Sequence, residues 1–226
     1  MIAEETHHRL EMLRDAFLEE NLKLNLSAFR TPETCWTGNI LDSVAALEVE
    51  PLKSLSRPLH ILDLGTGGGF PLLPLAICLP QCTCTGMDSV QKKITAVQRI
   101  IDELKVPNVS LVCGRSEELA RESIHREQYD VVLCRGFAAL NVLLELAAPF
   151  VKVEGFILCW KSLTIGQELK DSLLARSELS CQMQEPYVYD LGGSFGRRQI
   201  LVFRKRAKTN AKYPRSVGEP KKHPLL

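Results

Sequence analysis

The sequence predicts an α/β fold: a mostly parallel, doubly wound sheet with a helical cap before it and an antiparallel hairpin finishing it. Three observations carry this reading. Residues 59–70, LHILDLGTGGGF, pass from a short apolar run into an acid and then into four glycines within five positions, which is a strand feeding a tight turn. From Leu59 onward, short apolar runs alternate with helix-period segments, as in a parallel sheet joined by crossover helices. Two late alternating segments, MQEPYVYDL and RRQILVFRK, read as the hairpin, with LGGSFGR as its exposed connection.

Taken in order, residues 2–20 place Leu10, Leu13 and Phe17 at helical spacing between charges, an amphipathic helix packed on the main domain. Thr31-Pro32-Glu33 is a helix-start signal for a further short helix through NILDSVAALEV, and Pro51 with SLSRP closes a cap of residues 1–55. In the main domain, residues 56–205, the strand LHILDLG is followed by a helix over 70–79, with Pro71 where its missing N–H costs nothing. CTCTGMD is the second strand, ending at Asp88, and VQKKITAVQRIIDELK the helix after it. NVSLVCG leads to a helix capped by Ser116, and YDVVLCRG to the helical AALNVLLELAAPFV. GFILCWK is the fifth strand, and the polar helix IGQELKDSLLARS precedes the hairpin.

Composition narrows the class. A chain of 226 residues with 45% hydrophobic content has a sizeable core for one large domain with appendages. No secretory signal pattern opens the chain and no apolar run is long enough to span a bilayer, so a cytoplasmic protein with no membrane partner is expected. The eight cysteines include no C-x-x-C pair and read as free, mostly buried thiols, with no metal site. From Arg204 to Leu226 there are eight Lys or Arg against Glu219 alone. With three prolines and little apolar content, this arm, residues 206–226, is expected to be extended and loosely packed until it meets a polyanion, or else simply to solubilise the chain.

The glycine turn points to a ligand. Gly65, Gly67, Gly68 and Gly69 let the chain turn and let a ligand reach the backbone. The dinucleotide fingerprint G-x-G-x-x-G needs glycine at position 70, where Phe70 stands, so pyrophosphate is a poor match. Asp63, two residues before the first glycine, disfavours phosphate and suits an amine or ammonium. The run DLGTGGG resembles the acid-x-Gly-x-Gly-x-Gly motif of S-adenosylmethionine-dependent methyltransferases, although a plain strand-to-helix connection can also be glycine-rich. Asp88, nineteen positions after Gly69, suits ribose hydroxyls or the start of the next helix, and the two roles are compatible. Arg135 and Lys161 follow apolar strands and emerge at the carboxyl edge of the sheet, where open α/β folds bind ligands.

The chain as a whole resembles the bacterial 16S ribosomal RNA guanine-N7 methyltransferases of the RsmG (GidB) family. The similar stretches are NLSAFR, ILDSV, ILDLGTGGGFP, MDSVQKK, GRSEEL, CRGFAALNVLLEL, WK at 160–161 and YPRSVGEPKKHPL at 213–225. The resemblance implies a Rossmann-like class I methyltransferase fold with S-adenosylmethionine as cofactor. It places cofactor contacts at Gly65 and Phe70, at Ser116 and Glu117 beside the adenine, and at Arg135; Asp63, Gly67, Gly69 and Asp88 join them on the reading above. The family's basic residue and His before ILDS are replaced by Gly38 and Asn39, and its Gly-Glu-Arg-His before the last strand by Gly196-Arg197-Arg198-Gln199.

Guanine N7 carries a lone pair and no proton, so its methylation needs alignment and no general base. Arg135, Lys161 and Arg198 are the candidates for gripping RNA phosphate or the guanine O6 edge, unless they are ordinary surface charges. A monomer acting on 16S ribosomal RNA or the small ribosomal subunit is expected, with the target guanine unstacked. Two other readings are a methyltransferase of the same fold with a protein or small-molecule acceptor, and a non-catalytic RNA-binding module.

Overall fold

The computed structural model describes residues 3–226. Helix α1 spans Glu4–Leu24, four residues beyond its expected end, and stops where Asn25 adopts a left-handed conformation that gives its N–H to Asn21 O. Its apolar stripe of Leu10, Leu13 and Phe17 is buried, as the spacing requires. Thr31 caps α2 (Pro32–Cys35) in a reciprocal capping box with Thr34. The chain then continues without a break through a π-helical turn, Trp36–Leu41, into α3 (Asp42–Val44) and a 3-10 turn, Ala45–Glu48.

The central sheet begins with β1 (His60–Leu64), whose register partners are β2 (Thr83–Asp88) and β4 (Tyr129–Arg135). Between them in the chain lie α4 (Leu72–Cys78), α5 (Gln91–Leu104), β3 (Val109–Cys113) and α6 (Ser116–Leu119). Helix α7 (Leu140–Ala147) leads to β5 (Val151–Lys161), and α8 (Gly166–Asp171) and α9 (Leu173–Glu178) lead to the last three strands. These are β6 (Cys181–Met183), β7 (Tyr187–Asp190) and β8 (Arg197–Lys205). The order is β3-β2-β1-β4-β5-β8-β6, with β7 also on β8. Strands β1 to β5 run parallel, and β8 enters antiparallel to β5. The expected hairpin is β7–β8, and the short β6 extends the same edge of β8.

Alternation along the strands divides the core. Ile61, Val131 and Leu133 face a cluster shared with α1, α4 and α5. Leu62, Leu64, Val132 and Cys134 face a second cluster built with α7 and the segment around Tyr213. Phe17 of α1 meets Phe70 edge-on at 4.8 Å, which seats the cap on the glycine turn, and removing so buried a ring costs about 3–5 kcal/mol. Every cysteine is free, and Cys113 alone is exposed. No described helix is long and apolar enough to cross a membrane, and no group of three metal-ligating side chains occurs among the described residues.

The basic arm departs from expectation: it is folded onto the domain. Lys205 is fully buried, giving its three protons to Glu127 Oε1, Ala148 O and Val151 O. Arg126 donates to the carbonyls of Thr209, Asn210 and Tyr213. Arg215 forms a two-pronged pair with the fully buried Glu145, at 2.9 and 2.6 Å. Acids elsewhere in the domain thus neutralise charges that read as a solvated run in the sequence. Helix α10 (Glu219–Lys222) lies within this segment.

Candidate functional site

The carboxyl ends of β1 to β4 open into a cavity of about 320 Å³. Gly65, Asp88, Ser116 and Glu117 line it, each expected to contact the cofactor. Asp88 accepts from the Gly67 N–H at 3.0 Å with one oxygen and from the Val90 N–H at 2.9 Å with the other. It therefore joins the glycine turn to the entry of α5, though the capping position itself is held by Val90. Ser116 does not cap α6 but is its first residue, and its hydroxyl donates to Glu117 Oε2 at 3.2 Å. Glu117 also accepts the Gly218 N–H at 3.0 Å. Burial opposes its charge, but the Gly218 and Glu117 backbone N–H groups and Arg115 outweigh that and hold its carboxyl below the ordinary range.

The glycines divide their tasks more narrowly than the sequence suggested. Gly67, at φ +56, is the one beside open space: a Cβ there meets only Gly65 O, at 3.8 Å. Gly67 is not itself among the residues that line the cavity, but the turn leaves room for a ligand to reach its backbone. A Cβ on Gly68 or Gly69 would instead press on the Phe17 ring or on Leu73, each at 2.8 Å, so both serve packing. Phe70 is buried against Phe17 and does not line the cavity. Asp63 is also not in the wall. It lies 1% exposed beneath the turn, accepts the Leu72 N–H with Oδ2 at 3.3 Å, and leaves Oδ1 without a partner. Burial pushes its carboxyl up to about 7. An open backbone turn and an orphaned acid beneath it suit a ligand carrying an ammonium group, which fits S-adenosylmethionine.

A second cavity of about 270 Å³ lies between the cap, the ends of β4 and β5, and the β7–β8 hairpin. Arg135, Lys161 and Arg198 all line it, and Gly136 is the residue it shares with the first cavity. Their availability differs. Arg135 donates to Gly38 O at 3.0 Å, Asn39 Oδ1 at 2.6 Å and Asp42 Oδ2 at 2.9 Å. Lys161 is held by Ala138 O at 2.8 Å and Glu168 at 2.6 Å. Arg198 spends its Nε on Phe195 O at 3.3 Å, and its terminal nitrogens have no partner among the described residues.

Asp42 was missed as a site residue, because its partners come from three distant elements. Tyr189 donates its hydroxyl to Asp42 Oδ1 at 2.5 Å and Trp160 its indole N–H to Asp42 O at 2.8 Å. Burial, and then the Asp42 charge, raise the Tyr189 phenol well above its usual range, so it stays protonated. The departures from the family pattern also find their surroundings here. A Cβ on Gly38 would run into the rings of Phe29 and Phe195, and Asn39 is fully buried as an acceptor for Arg135. Gln199 is buried and ties β8 to the end of β5 by donating to Ser162 O at 2.6 Å.

Proteins of known structure share this fold. Solved structures similar in fold include that of M. jannaschii TYW2 in complex with AdoMet, 16% identical over 75% of this chain and 77% of that one, with a TM-score of 0.56. A putative methyltransferase from Bacillus halodurans C-125 is 13% identical over 74% of this chain and all of that one, also at 0.56. In sequence, the ribosomal RNA small subunit methyltransferase G of Alkaliphilus oremlandii is 38% identical over 96% of this chain and 90% of its own length. That of Bacillus cytotoxicus is 35% identical over 96% and 90%. The family described as GidB, rRNA small subunit methyltransferase G, matches residues 6–195. With a family match over residues 6–195 and a relative 38% identical along nearly its whole length, the chain belongs to the rRNA small subunit methyltransferase G family.

Proposed function

We propose that this protein transfers the methyl group of S-adenosylmethionine to N7 of an unstacked guanine in small-subunit ribosomal RNA. The observation that carries the reading is the pair of cavities meeting at Gly136, one behind the glycine turn and one walled by aromatic and cationic side chains. Bound in the first cavity, S-adenosylmethionine supplies an electrophilic methyl on a sulfonium. Gly67 and Asp88 fix the turn and the ribose side, and Ser116 and Glu117 flank the adenine. In the second cavity, Phe29, Trp160 and Tyr189 offer surfaces on which a base can stack, a contact worth about 1–3 kcal/mol per base.

The acceptor chemistry follows from what this wall lacks in free bases. Asp42 is engaged by Arg135 and Tyr189, and Tyr189 keeps its proton. Cys134 is fully enclosed, and burial drives its thiol far above the usual value, so it does not serve as a nucleophile. A site with neither base nor thiolate suits an acceptor that already exposes a lone pair, as guanine N7 does. Arg198 is positioned to donate to guanine O6 or a flanking phosphate, while Arg135 shapes the wall. Transfer of tritiated methyl to small-subunit RNA, followed by nucleoside digestion, tests the proposal: 7-methylguanosine is expected. Label recovered only as N6-methyladenosine or a carbon-methylated pyrimidine overturns it.

A further inference from the structure

We propose that the C-terminal segment Arg215–Lys221 is a wall of the S-adenosylmethionine site, a strap that must be docked for the cofactor to bind tightly. This rests on the reading of the first cavity as the cofactor site. Gly218, Pro220 and Lys221 line that cavity together with Asp88, although the segment reads in sequence as a solvated basic run.

The strap is anchored before it reaches the cavity. The Arg215 guanidinium and backbone N–H are both given to Glu145, whose side chain is fully buried on α7. Arg121 holds Pro214 O at 2.5 Å, and Tyr213 donates its hydroxyl to Glu178 at 2.9 Å. Beyond this anchor the chain turns at Gly218, where φ is +82, a conformation side-chain-bearing residues rarely adopt. The turn aims the Gly218 N–H at Glu117 Oε1, and it leaves Pro220 buried.

The chemistry suits the adenosyl end of the cofactor. Adenine is a neutral plane that needs apolar faces and a polar edge. Val142 and Leu146 of α7, with Pro220, give apolar surface, and Glu117 gives the edge. A carboxylate accepts about four hydrogen bonds. Gly218 and Arg115 donate to Glu117 Oε1 at 3.0 and 3.4 Å and Ser116 to Oε2 at 3.2 Å, so Oε2 is the oxygen with fewer partners and the one a donor of the ligand would use. Removing the strap takes away a wall and also a donor that keeps Glu117 charged and fixed.

The test measures S-adenosylhomocysteine binding by calorimetry with the full chain, with a chain ending at Val217 that keeps the Arg215 anchor, and with Gly218→Pro, which cannot adopt the turn or donate. Both variants are expected to bind at least tenfold more weakly while melting cooperatively. In the unaltered protein, S-adenosylhomocysteine is expected to slow tryptic cleavage after Lys221 and Lys222 at least fivefold. A folded truncation that binds within twofold of the full chain overturns the strap, and so does cleavage that ignores the ligand. Should the truncation fail to fold, the protease measurement on the unaltered protein decides. Asp88→Asn separates the two readings: if it weakens binding and the truncation does not, only the strap is wrong, whereas if neither matters the cavity itself is misassigned.

Discussion

Arg135 donates from Nη1 to Asp42 Oδ2 at 2.9 Å, joining the end of β4 to the cap across 93 residues of sequence. Both side chains are largely buried, at 19% and 10% exposure, and the same guanidinium holds Gly38 O and Asn39 Oδ1. The cap is thereby fixed against the sheet edge at the point where the second cavity forms. An arginine engaged in this way is a positioning residue for the acceptor wall.

Arg135→Ala should therefore act through the cap. It leaves Asp42 with a charge and one remaining side-chain donor, Tyr189, so a stability loss of about 2–4 kcal/mol is expected from chemical denaturation. Methyl transfer should fall at least a hundredfold, with S-adenosylhomocysteine affinity changed by less than about threefold. Arg135→Lys should rescue poorly, because one ammonium cannot span three acceptors arranged for a guanidinium fork. Loss of cofactor affinity with unchanged stability in Arg135→Ala would contradict this assignment.

Asp63 gives the ligand-free protein a pH signature. Its carboxyl is raised from the model-peptide value of 3.8 to about 7, so the folded state binds a proton that the unfolded chain has released. Stability is then highest below the unfolded value and declines as pH rises from about 4 through 7, by an amount on the order of a few kcal/mol. Asp63→Asn should flatten that part of the profile and make the ligand-free protein relatively more stable at pH 8. Thermal melts from pH 5 to 8 measure it, and an unchanged slope in the variant would remove Asp63 as the cause.

Local pattern made most of the sheet legible. Strands such as His60–Leu64 and Tyr129–Arg135 are short apolar runs bounded by turn residues, and the alternation of Ile61 and Leu62 between two clusters is what a sheet covered on both faces demands. The arm was misread for a physical reason: Glu127, Glu145 and Glu117, which hold Lys205, Arg215 and Gly218, lie 70 to 101 residues away in sequence. Charge runs announce their own composition and not their partners. The second cavity was hidden in the same way, since Asp42, Trp160 and Tyr189 meet only through tertiary packing. Asp63 was legible as a site residue, but its burial beneath the turn was not.

Gly67 separates ligand approach from packing. Its backbone is at φ +56 beside open space, so Gly67→Val strains the turn by about 1–2 kcal/mol and puts two methyl groups where a ligand must come. Calorimetry should show S-adenosylhomocysteine binding lost while the cooperative melt persists. Gly68→Val, which presses on Phe17 instead, should lower the melting temperature more than it lowers affinity. The reverse pattern would mean that the turn contacts its ligand through the other glycine.

The pairing of the tail's charges changes what salt should do to RNA binding. Among the cations after Lys205, Arg206, Lys212 and Arg215 are matched to Glu154, Glu178 and Glu145, so their charge is already offset in the free protein and they are expected to release few counterions on binding. Lys208 and Lys222 are exposed and have no acidic partner among the described residues. At about 0.7 per phosphate contact for a single strand, Lys208→Ala with Lys222→Ala should make the slope of log affinity against log salt shallower by roughly 1–1.5 units. Arg206→Ala should leave that slope unchanged. Arg198, with free terminal nitrogens in the second cavity, acts at the base: Arg198→Ala should cut kcat/KM for RNA at least tenfold, shift the slope by no more than about 0.7, and spare cofactor affinity. If Arg206→Ala flattens the slope as much as the double lysine variant does, the pairing with Glu154 does not persist in solution and the whole arm is a phosphate-binding surface after all.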